Sequence, residues 1–287
     1  MIDVIVNPIA RNGEARHTGE EAEQYLKQRG ADFVIHYTEH IGHATELARE
    51  AAARGADTVI ALGGDGTVCE TAAGLAHTKT ALGIVPAGTG NDFIKTVGTP
   101  KHWKEALDFI LDHPARPVNT GTVNERFFMN VCGGGFDVQV LNYALSAKKY
   151  VKGIWPYLYG VVRAITAFKP FQMHVEAGDI AFDKECMICT IANGRYIGGG
   201  IPIAMMADVT DGLLDVIAID AVPRWKIPFY LPALMAGKLY TKKIAHHYRV
   251  KTAALSSPGM LLNLDGEILP MESTRYVCDT DALLLHW

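Results

Sequence analysis

Residues 58–68 read TVIALGGDGTV and residues 81–93 read ALGIVPAGTGNDF, and these two stretches decide the fold. Each begins as an apolar strand-like run, Thr58–Leu62 and Leu82–Val85, and continues into a glycine-rich loop followed by a helix. The first helix is predicted to begin near Val68. Strands separated by helices pair in parallel, and the loops after parallel strands lie on one edge of the sheet. The two glycine loops are therefore predicted to face one cleft.

The same alternation extends outward from these loops. It predicts strands at Ile2–Val6 and Ala31–Tyr37, and helices at Glu14–Arg29, from near His43, and at Lys101–Leu111. After Pro114 and Pro117 the pattern changes to short β-rich runs, with a hairpin turn at Asn124-Glu125. We predict an α/β domain with a parallel sheet over residues 1–117 and a mostly antiparallel β-sandwich over residues 118–287.

The composition is that of a globular protein, with 49% hydrophobic and 20% charged residues among 287. The 27 Lys and Arg against 31 Asp and Glu give a net charge of -4, which offers no general attraction to nucleic acid or to anionic membrane, so any phosphate binding must be local. Five cysteines without framework spacing, and no leader-like segment before Ile2, indicate a cytoplasmic protein. The apolar stretch Ile154–Phe168 is broken by Pro156 and Arg163 and is too short to span a membrane.

The Gly63–Thr67 loop has the character of a phosphate site. Glycines let the main chain approach a ligand, and the following helix presents its free N–H groups. Asp65 would repel a bare phosphate, so its presence indicates work through Mg²⁺ or a metal-bound water. An ordinary glycine-rich β-α turn is the alternative. The P-loop motif and the dinucleotide fingerprint are both absent, since Cys69 stands where a third glycine would be needed.

A wider set of motifs occurs in a fixed order: Asn7-Pro8, Gly63–Thr67, Gly88–Phe93, Asn193–Asp215 and Asp265–Glu267. In this order they resemble the catalytic domain of diacylglycerol kinases, sphingosine kinases and their bacterial soluble relatives. The resemblance covers nearly the whole chain. It implies an NAD-kinase-like and diacylglycerol-kinase-like fold, ATP and Mg²⁺ as cofactors, and a lipid hydroxyl as phosphate acceptor, with diacylglycerol giving phosphatidic acid as the default.

The resemblance also assigns roles to residues. It places nucleotide contacts at Asn7, Thr38, Gly63, Gly64, Asp65, Gly66, Thr67, Glu70, Gly88, Thr89, Asn91 and Asp92. It implies a metal held by Asp208, Asp211 and the Leu213 carbonyl, which are hard oxygen donors of the kind that Mg²⁺ prefers. Glu267 is the expected general base, with Asp265 orienting the metal-water network, although the reverse assignment stays open. A simple Asp-Gly turn is the alternative at both places.

Two positions depart from the family pattern. Residues 9–13 read IARNG where relatives have serine or glycine followed by glycine, and Cys69 stands where asparagine is frequent.

Two other functions also stay open: an NAD kinase, which shares the first glycine motif, and a kinase-like sensor of lipid or nucleotide without turnover. No residue separates diacylglycerol from phosphatidylglycerol, a sphingoid base, ceramide or an isoprenoid alcohol as the acceptor.

The segment Trp225–Lys251 combines an apolar run, residues 228–235, with a basic flank. It predicts transient peripheral docking on an anionic membrane, and a helical lid packed on the sandwich is the alternative. An exposed strand edge would also allow a homodimer.

Two clusters look like metal sites and are set aside. His36, His40 and His43 lack zinc-site spacing and are expected to be solvated, and Cys186 and Cys189 are expected to be core residues of a strand.

Overall fold

The computed structural model describes residues 1–147, 155–167 and 169–287, without the side chains of Asp137, Leu145, Trp155–Leu158 and Val161. The first part of the chain alternates strand and helix as predicted. Its elements are β1 (Ile2–Val6), α1 (Glu14–Gln28), β2 (Phe33–Tyr37), α2 (His43–Ala53), β3 (Thr58–Gly63), α3 (Asp65–Leu75), β4 (Ala81–Pro86), α4 (Asp92–Val97) and α5 (Trp103–Asp112).

The second part is mostly antiparallel. Its elements are β5 (Ala115–Val123), β6 (Arg126–Phe128), β7 (Val131–Gly135), α6 (Phe136–Ala147), α7 (Trp155–Ala167), β8 (Phe171–Ala177), β9 (Ile180–Ala192), β10 (Tyr196–Ile197), β11 (Ile201–Pro202), β12 (Leu214–Asp220), α8 (Ile227–Met235), β13 (Ala245–Val250), β14 (Thr252–Ser256), β15 (Leu261–Leu264), β16 (Glu267–Pro270) and β17 (Ser273–His286).

The first four strands form a parallel sheet in the order β4-β3-β1-β2. Every residue of β3 and β4 is buried, because helices cover both faces of the sheet. On one face α1 and α5 pack Leu26 and Leu107 against β1 and β3, and on the other α2 and α3 pack Ala48 and Leu75. The carboxyl ends of the strands therefore stay free of covering helices and form the edge on which the glycine loops lie.

The predicted α/β domain and the mostly antiparallel β-sandwich domain are confirmed. The division at residue 117 falls within β5, and β17 returns from the second part to the first sheet. The last residues of β17 run parallel to β4, with Leu284 opposite Ala81 and Leu285 opposite Leu82. The two parts therefore share one hydrogen-bonded sheet, which the change of sequence pattern at residue 117 does not predict.

Several local predictions can be compared with the structure. The Asn124-Glu125 hairpin turn is confirmed, with the positive φ angles of 46° and 69° that a tight hairpin uses. Helix α3 begins at Asp65 rather than near Val68, and α4, α6 and α7 were not predicted. No helix in the described ranges combines the length and the apolarity needed to cross a membrane.

Candidate active site

The first glycine loop is a tight junction between β3 and α3. Gly64 is the extended residue before the helix, so Asp65, Gly66 and Thr67 form its first turn. The main-chain N–H groups of a first helical turn have no partner inside the helix and can receive an anion. Gly63 has no space for a side chain, since a Cβ there would lie 2.5 Å from Thr67 Oγ1. This close packing fixes the direction in which α3 starts.

The second glycine loop packs directly on the first. A Cβ on Gly88 would lie 2.4 Å from the Cα of Gly64, so the two loops meet main chain to main chain. Asn91 holds the second loop from within, because its Oδ1 accepts from Gly88 N at 3.1 Å and its Nδ2 donates to Gly88 O at 2.9 Å. Asn91 itself adopts a left-handed φ of 48°. The prediction that the two loops face one cleft is therefore met by direct contact.

Two carboxylates lie where the loops meet. Asp65 Oδ1 accepts from the main-chain N–H of Asp92 at 2.6 Å and of Phe93 at 3.4 Å, and so caps α4. Its Oδ2 faces Gly90, where a Cβ would come within 2.8 Å. Burial, reinforced by the Asp92 charge, raises the pKa of Asp65. A cation bound near Asp65 would offset that cost.

Asp92 is buried and held by two donors. Lys95 Nζ donates to Asp92 Oδ1 at 2.8 Å and also to Gly90 O at 2.8 Å. Gly199 N donates to Asp92 Oδ2 at 2.8 Å. The second donor comes from the β10–β11 hairpin, whose turn residues Gly198, Gly199 and Gly200 all have positive φ. Three glycines in a row are needed there, because side chains disfavour this backbone conformation.

The remaining predicted nucleotide residues lie along the same sheet edge. Asn7 follows β1 and its Nδ2 donates to Thr67 Oγ1 at 2.9 Å, which links the ends of β1 and α3. Thr38 follows β2 and its N–H donates to Val6 O. Glu70 is half-buried in α3, and Thr89 is exposed in the second loop. The structure therefore brings Asn7, both loops and Asp92 together, with Thr38 one strand further out.

Asp265 and Glu267 occupy different environments although they are two residues apart. The Asp265 carboxylate accepts from the main-chain N–H groups of Met129, Asn130 and Val131, at 2.7, 3.1 and 3.0 Å. It also accepts from Cys69 Sγ at 3.2 Å, and burial raises its pKa. Glu267 is exposed at the start of β16, after the Asp265-Gly266 turn. Four donors make Asp265 an anchor between α3 and the sandwich, so of the two carboxylates Glu267 is the one free to accept a proton.

The predicted metal loop does not present a free set of ligands. Asp208 Oδ1 accepts from both the N–H and the hydroxyl of Thr210, and the hydroxyl contact lowers the pKa of Asp208. Asp211 Oδ1 accepts from Leu213 N at 2.9 Å, and its Oδ2 is paired with the Arg249 guanidinium. The oxygen donors suit Mg²⁺ chemically, but a cation would have to displace Arg249 from Asp211. Arg249 therefore occupies the Asp211 oxygen that a cation would use, and we derive no step through a metal at this loop.

Comparisons with known proteins follow the same division of the chain. Residues 2–123 match the family model of the diacylglycerol kinase catalytic domain, and residues 130–286 match that of the YegS C-terminal NAD kinase beta sandwich-like domain. A Pseudomonas aeruginosa protein named "Probable lipid kinase YegS-like" is 34% identical over 264 residues, which cover 91% of this chain and 86% of that protein. The chain belongs to the YegS and diacylglycerol kinase family of lipid kinases.

Further relatives of this lipid kinase agree with the assignment. The Bacillus subtilis diacylglycerol kinase is 30% identical over 274 residues, covering 92% of this chain and 88% of its own. A crystal structure from Bacillus anthracis, named as a candidate diacylglycerol kinase, has a TM-score of 0.83 and 27% identity, covering 100% of this chain and 94% of that one. An Archaeoglobus fulgidus NAD kinase crystallised with ATP has a TM-score of 0.57 at 10% identity, covering 100% of this chain and 94% of that one, and shares the fold.

Two residues of the lipid-kinase cleft were missed from the sequence. Lys95 follows Asp92 by three residues, which would have indicated a contact had α4 been predicted. Cys69 departs from the family pattern, so the sequence predicts no role for it. In the structure its thiol donates to Asp265, and burial together with the Asp265 charge raises the pKa of Cys69 far above its ordinary value. Both residues support a carboxylate that was predicted.

The two clusters set aside from the sequence have different outcomes. Cys186 and Cys189 are buried in the sandwich core, as predicted. His36 pairs with buried Asp3, whereas the nitrogens of His40 and His43 and a carboxylate oxygen of Glu46 lie within 4.8 Å of one another. His43 Nδ1 accepts from Glu39 N at 3.1 Å, which places the proton of a neutral ring on Nε2. That tautomer leaves His43 no free nitrogen for a metal.

Proposed function

We propose that this lipid kinase transfers the γ-phosphate of ATP to a lipid hydroxyl, with diacylglycerol as the first acceptor to test and phosphatidic acid as its product. The observation that carries the proposal is the contact between the two glycine loops, at Gly64 and Gly88, with Asp65 and Asp92 beside it. Phosphoryl transfer depends mainly on positioning and on neutralising charge. The contact between the loops provides the positioning, and the N–H groups of the first turn of α3, with a cation beside Asp65, would neutralise the phosphate charge.

Each part of the cleft then has a task. The first turn of α3, at Asp65–Thr67, directs N–H groups at the phosphates, and Asn7 fixes the Thr67 hydroxyl through their 2.9 Å hydrogen bond. Lys95 and Gly199 N hold the Asp92 carboxylate in one orientation. Glu267, exposed beside the Asp265 anchor, accepts the proton of the acceptor hydroxyl as the new oxygen–phosphorus bond forms. The bond between the γ-phosphorus and its bridging oxygen breaks in the same step, and ADP leaves.

Asp65 is the residue that would hold Mg²⁺, because its Oδ2 faces Gly90 and is not used in capping α4. Burial and the Asp92 charge raise the pKa of Asp65, and a bound cation would offset that cost. When bound with the nucleotide it would neutralise phosphate charge.

The relatives named as lipid and diacylglycerol kinases support a lipid acceptor over NAD, although the NAD kinase shares the fold. The test is transfer from γ-labelled ATP to diacylglycerol, phosphatidylglycerol, a sphingoid base, ceramide and an isoprenoid alcohol, with NAD as a separate acceptor. Label extracted with a lipid supports the proposal. Label on NAD alone would support the NAD kinase alternative, and ATP binding without transfer to any acceptor would contradict the proposal and favour a sensor.

A further inference from the structure

Helix α8 is apolar on the face it buries and on the face it exposes. Ile227 is buried, and Tyr230 and Leu234 pack against the same apolar cluster as Ile203 and Ile217. On the outer face Phe229 is 75% exposed and Met235 is 61% exposed. The helix reads IPFYLPALM and has no charged residue. A helix at a protein surface ordinarily has a polar outer face, so the outer face of α8 is suited to a partner that covers it.

The exposed apolar area continues beyond the helix. Trp225 is 67% exposed and meets Phe229 edge to face, with ring centroids 6.4 Å apart. Tyr240, in the short helical turn after α8, is 45% exposed. We call Trp225, Phe229, Met235 and Tyr240 the α8 surface. Trp225 and Phe229 support each other through this ring contact.

Positive charge surrounds the α8 surface. Residues 221–251 contain seven Lys and Arg and no Asp or Glu, within a chain whose net charge is -4. Lys226, Lys238, Lys242 and Lys243 are exposed, and Lys226 Nζ lies 5.2 Å from the centre of the Trp225 ring. The partner that covers this surface must therefore be apolar at its centre and anionic around it.

A bilayer containing anionic phospholipid meets both requirements. A second copy docked by two-fold symmetry would bring this basic, acid-free segment against the same segment of its partner, which costs energy by like-charge repulsion. An amphipathic element with aromatic side chains and flanking lysines instead lies at the boundary of headgroups and acyl chains. We propose that the α8 surface docks on anionic membranes, with Trp225 and Phe229 inserted and Lys238, Lys242 and Lys243 against lipid phosphates.

One hairpin connects α8 to the candidate site. Helix α8 contacts β11, and β11 belongs to the hairpin whose Gly199 N donates to Asp92. Docking would therefore bring lipid headgroups next to the hairpin that closes on the nucleotide carboxylates. This consequence rests on the proposed lipid-kinase function, whereas vesicle binding itself does not.

The experiment is cosedimentation with vesicles of phosphatidylcholine alone and of phosphatidylcholine mixed with phosphatidylglycerol. One variant carries Trp225→Ala with Phe229→Ala, and another carries Lys242→Glu with Lys243→Glu. Matched controls are Val34→Ala with Ile41→Ala, which are exposed apolar residues elsewhere, and Lys79→Glu with Lys101→Glu. Urea unfolding of every variant checks folding.

The wild type and both controls should bind the mixed vesicles. Each α8 variant should bind roughly tenfold or more weakly, one because it loses the inserted aromatic side chains and the other because it reverses two charges at the lipid phosphates. The Trp225→Ala, Phe229→Ala variant should keep transfer to a water-soluble short-chain acceptor and lose it with vesicle-embedded lipid. Wild-type binding of vesicles without transfer to any lipid would refute the proposed function and leave docking standing. Unchanged vesicle binding by both α8 variants, or self-association of the wild type that they abolish without vesicle binding, would overturn the proposal.

Discussion

At the scale of single residues, Asp65 combines two tasks whose electrostatic requirements conflict. Its Oδ1 caps α4 and its charge is placed for nucleotide chemistry, yet burial and the nearby Asp92 raise its pKa. A group whose pKa is raised on folding favours the protonated form in the folded state. Its contribution to stability is therefore present at low pH and is lost as the pH rises through the folded pKa. The charge needed for the reaction costs stability.

Asp65→Asn should accordingly increase the free energy of unfolding near neutral pH, because the amide oxygen still caps α4 and the buried charge is gone. It should also abolish most transfer activity, because the reaction needs that charge. The difference in stability from the wild type should shrink as the pH falls towards about 4, the ordinary carboxyl pKa. Urea unfolding across this range measures it. Asp179→Asn, at an exposed turn, should show no such difference. A less stable Asp65→Asn protein at neutral pH would contradict this account.

Two glycines of the candidate site differ in the space around them: Gly88 is closely packed, whereas Gly66 is not. At Gly88 an added methyl group would press on the Gly64 main chain, so Gly88→Ala should lower the free energy of unfolding by roughly 1–3 kcal/mol. At Gly66 nothing lies within 4 Å of an added Cβ, and alanine favours the helix by about 1 kcal/mol.

Gly66→Ala should therefore fold at least as well as the wild type but bind ATP more weakly, because its methyl group lies among the N–H donors. Unfolding in urea and calorimetry of ATP binding give the two quantities. Equal ATP affinity in Gly66→Ala and the wild type would place the phosphates elsewhere.

At the scale of elements, the β15–β16 turn joins the sandwich to α3 through Asp265. Both oxygens of Asp265 accept from main-chain N–H groups, and asparagine would replace one of these oxygens with an NH₂ group that cannot accept. Asp265→Asn should therefore lower the free energy of unfolding by about 1–3 kcal/mol. Glu267→Gln, two residues away but exposed, should leave stability unchanged. Thermal or urea unfolding measures the stability of both variants. If Glu267→Gln were the less stable of the two, Asp265 would not be the anchor.

Elements also show what the sequence can predict. The β-α alternation predicts that the Gly63–Thr67 and Gly88–Phe93 loops share an edge, because that follows from local pattern and the rules of parallel sheets. Asp265 meets Met129 across 136 residues of chain, and no local pattern carries that information. Arg249 pairs with Asp211 for the same reason, from a strand whose register is set by tertiary packing. The motif therefore predicts a role for Asp208 and Asp211 but does not predict that Arg249 pairs with Asp211.

At the scale of the whole molecule, β17 makes the two parts interdependent. Leu285 is fully buried in the first core and lies opposite Leu82 of β4. Leu285→Ala should cost roughly 2–5 kcal/mol and still give one unfolding transition, since both parts share the strand. Val277→Ala, on the same strand at 38% exposure, is the matched control. Two separate transitions in the Leu285→Ala protein would show that the parts fold independently.

The central claim is that the cleft passes phosphate from ATP to a lipid hydroxyl with Glu267 as the base. Its most direct test is the single-turnover rate of labelled γ-phosphate transfer to diacylglycerol in mixed micelles, in the wild type, Glu267→Gln and the exposed-turn control Glu125→Gln. We predict that Glu267→Gln binds ATP normally and transfers phosphate about 10²–10⁴-fold more slowly, while Glu125→Gln matches the wild type. Equal transfer rates in Glu267→Gln and the wild type would contradict the claim.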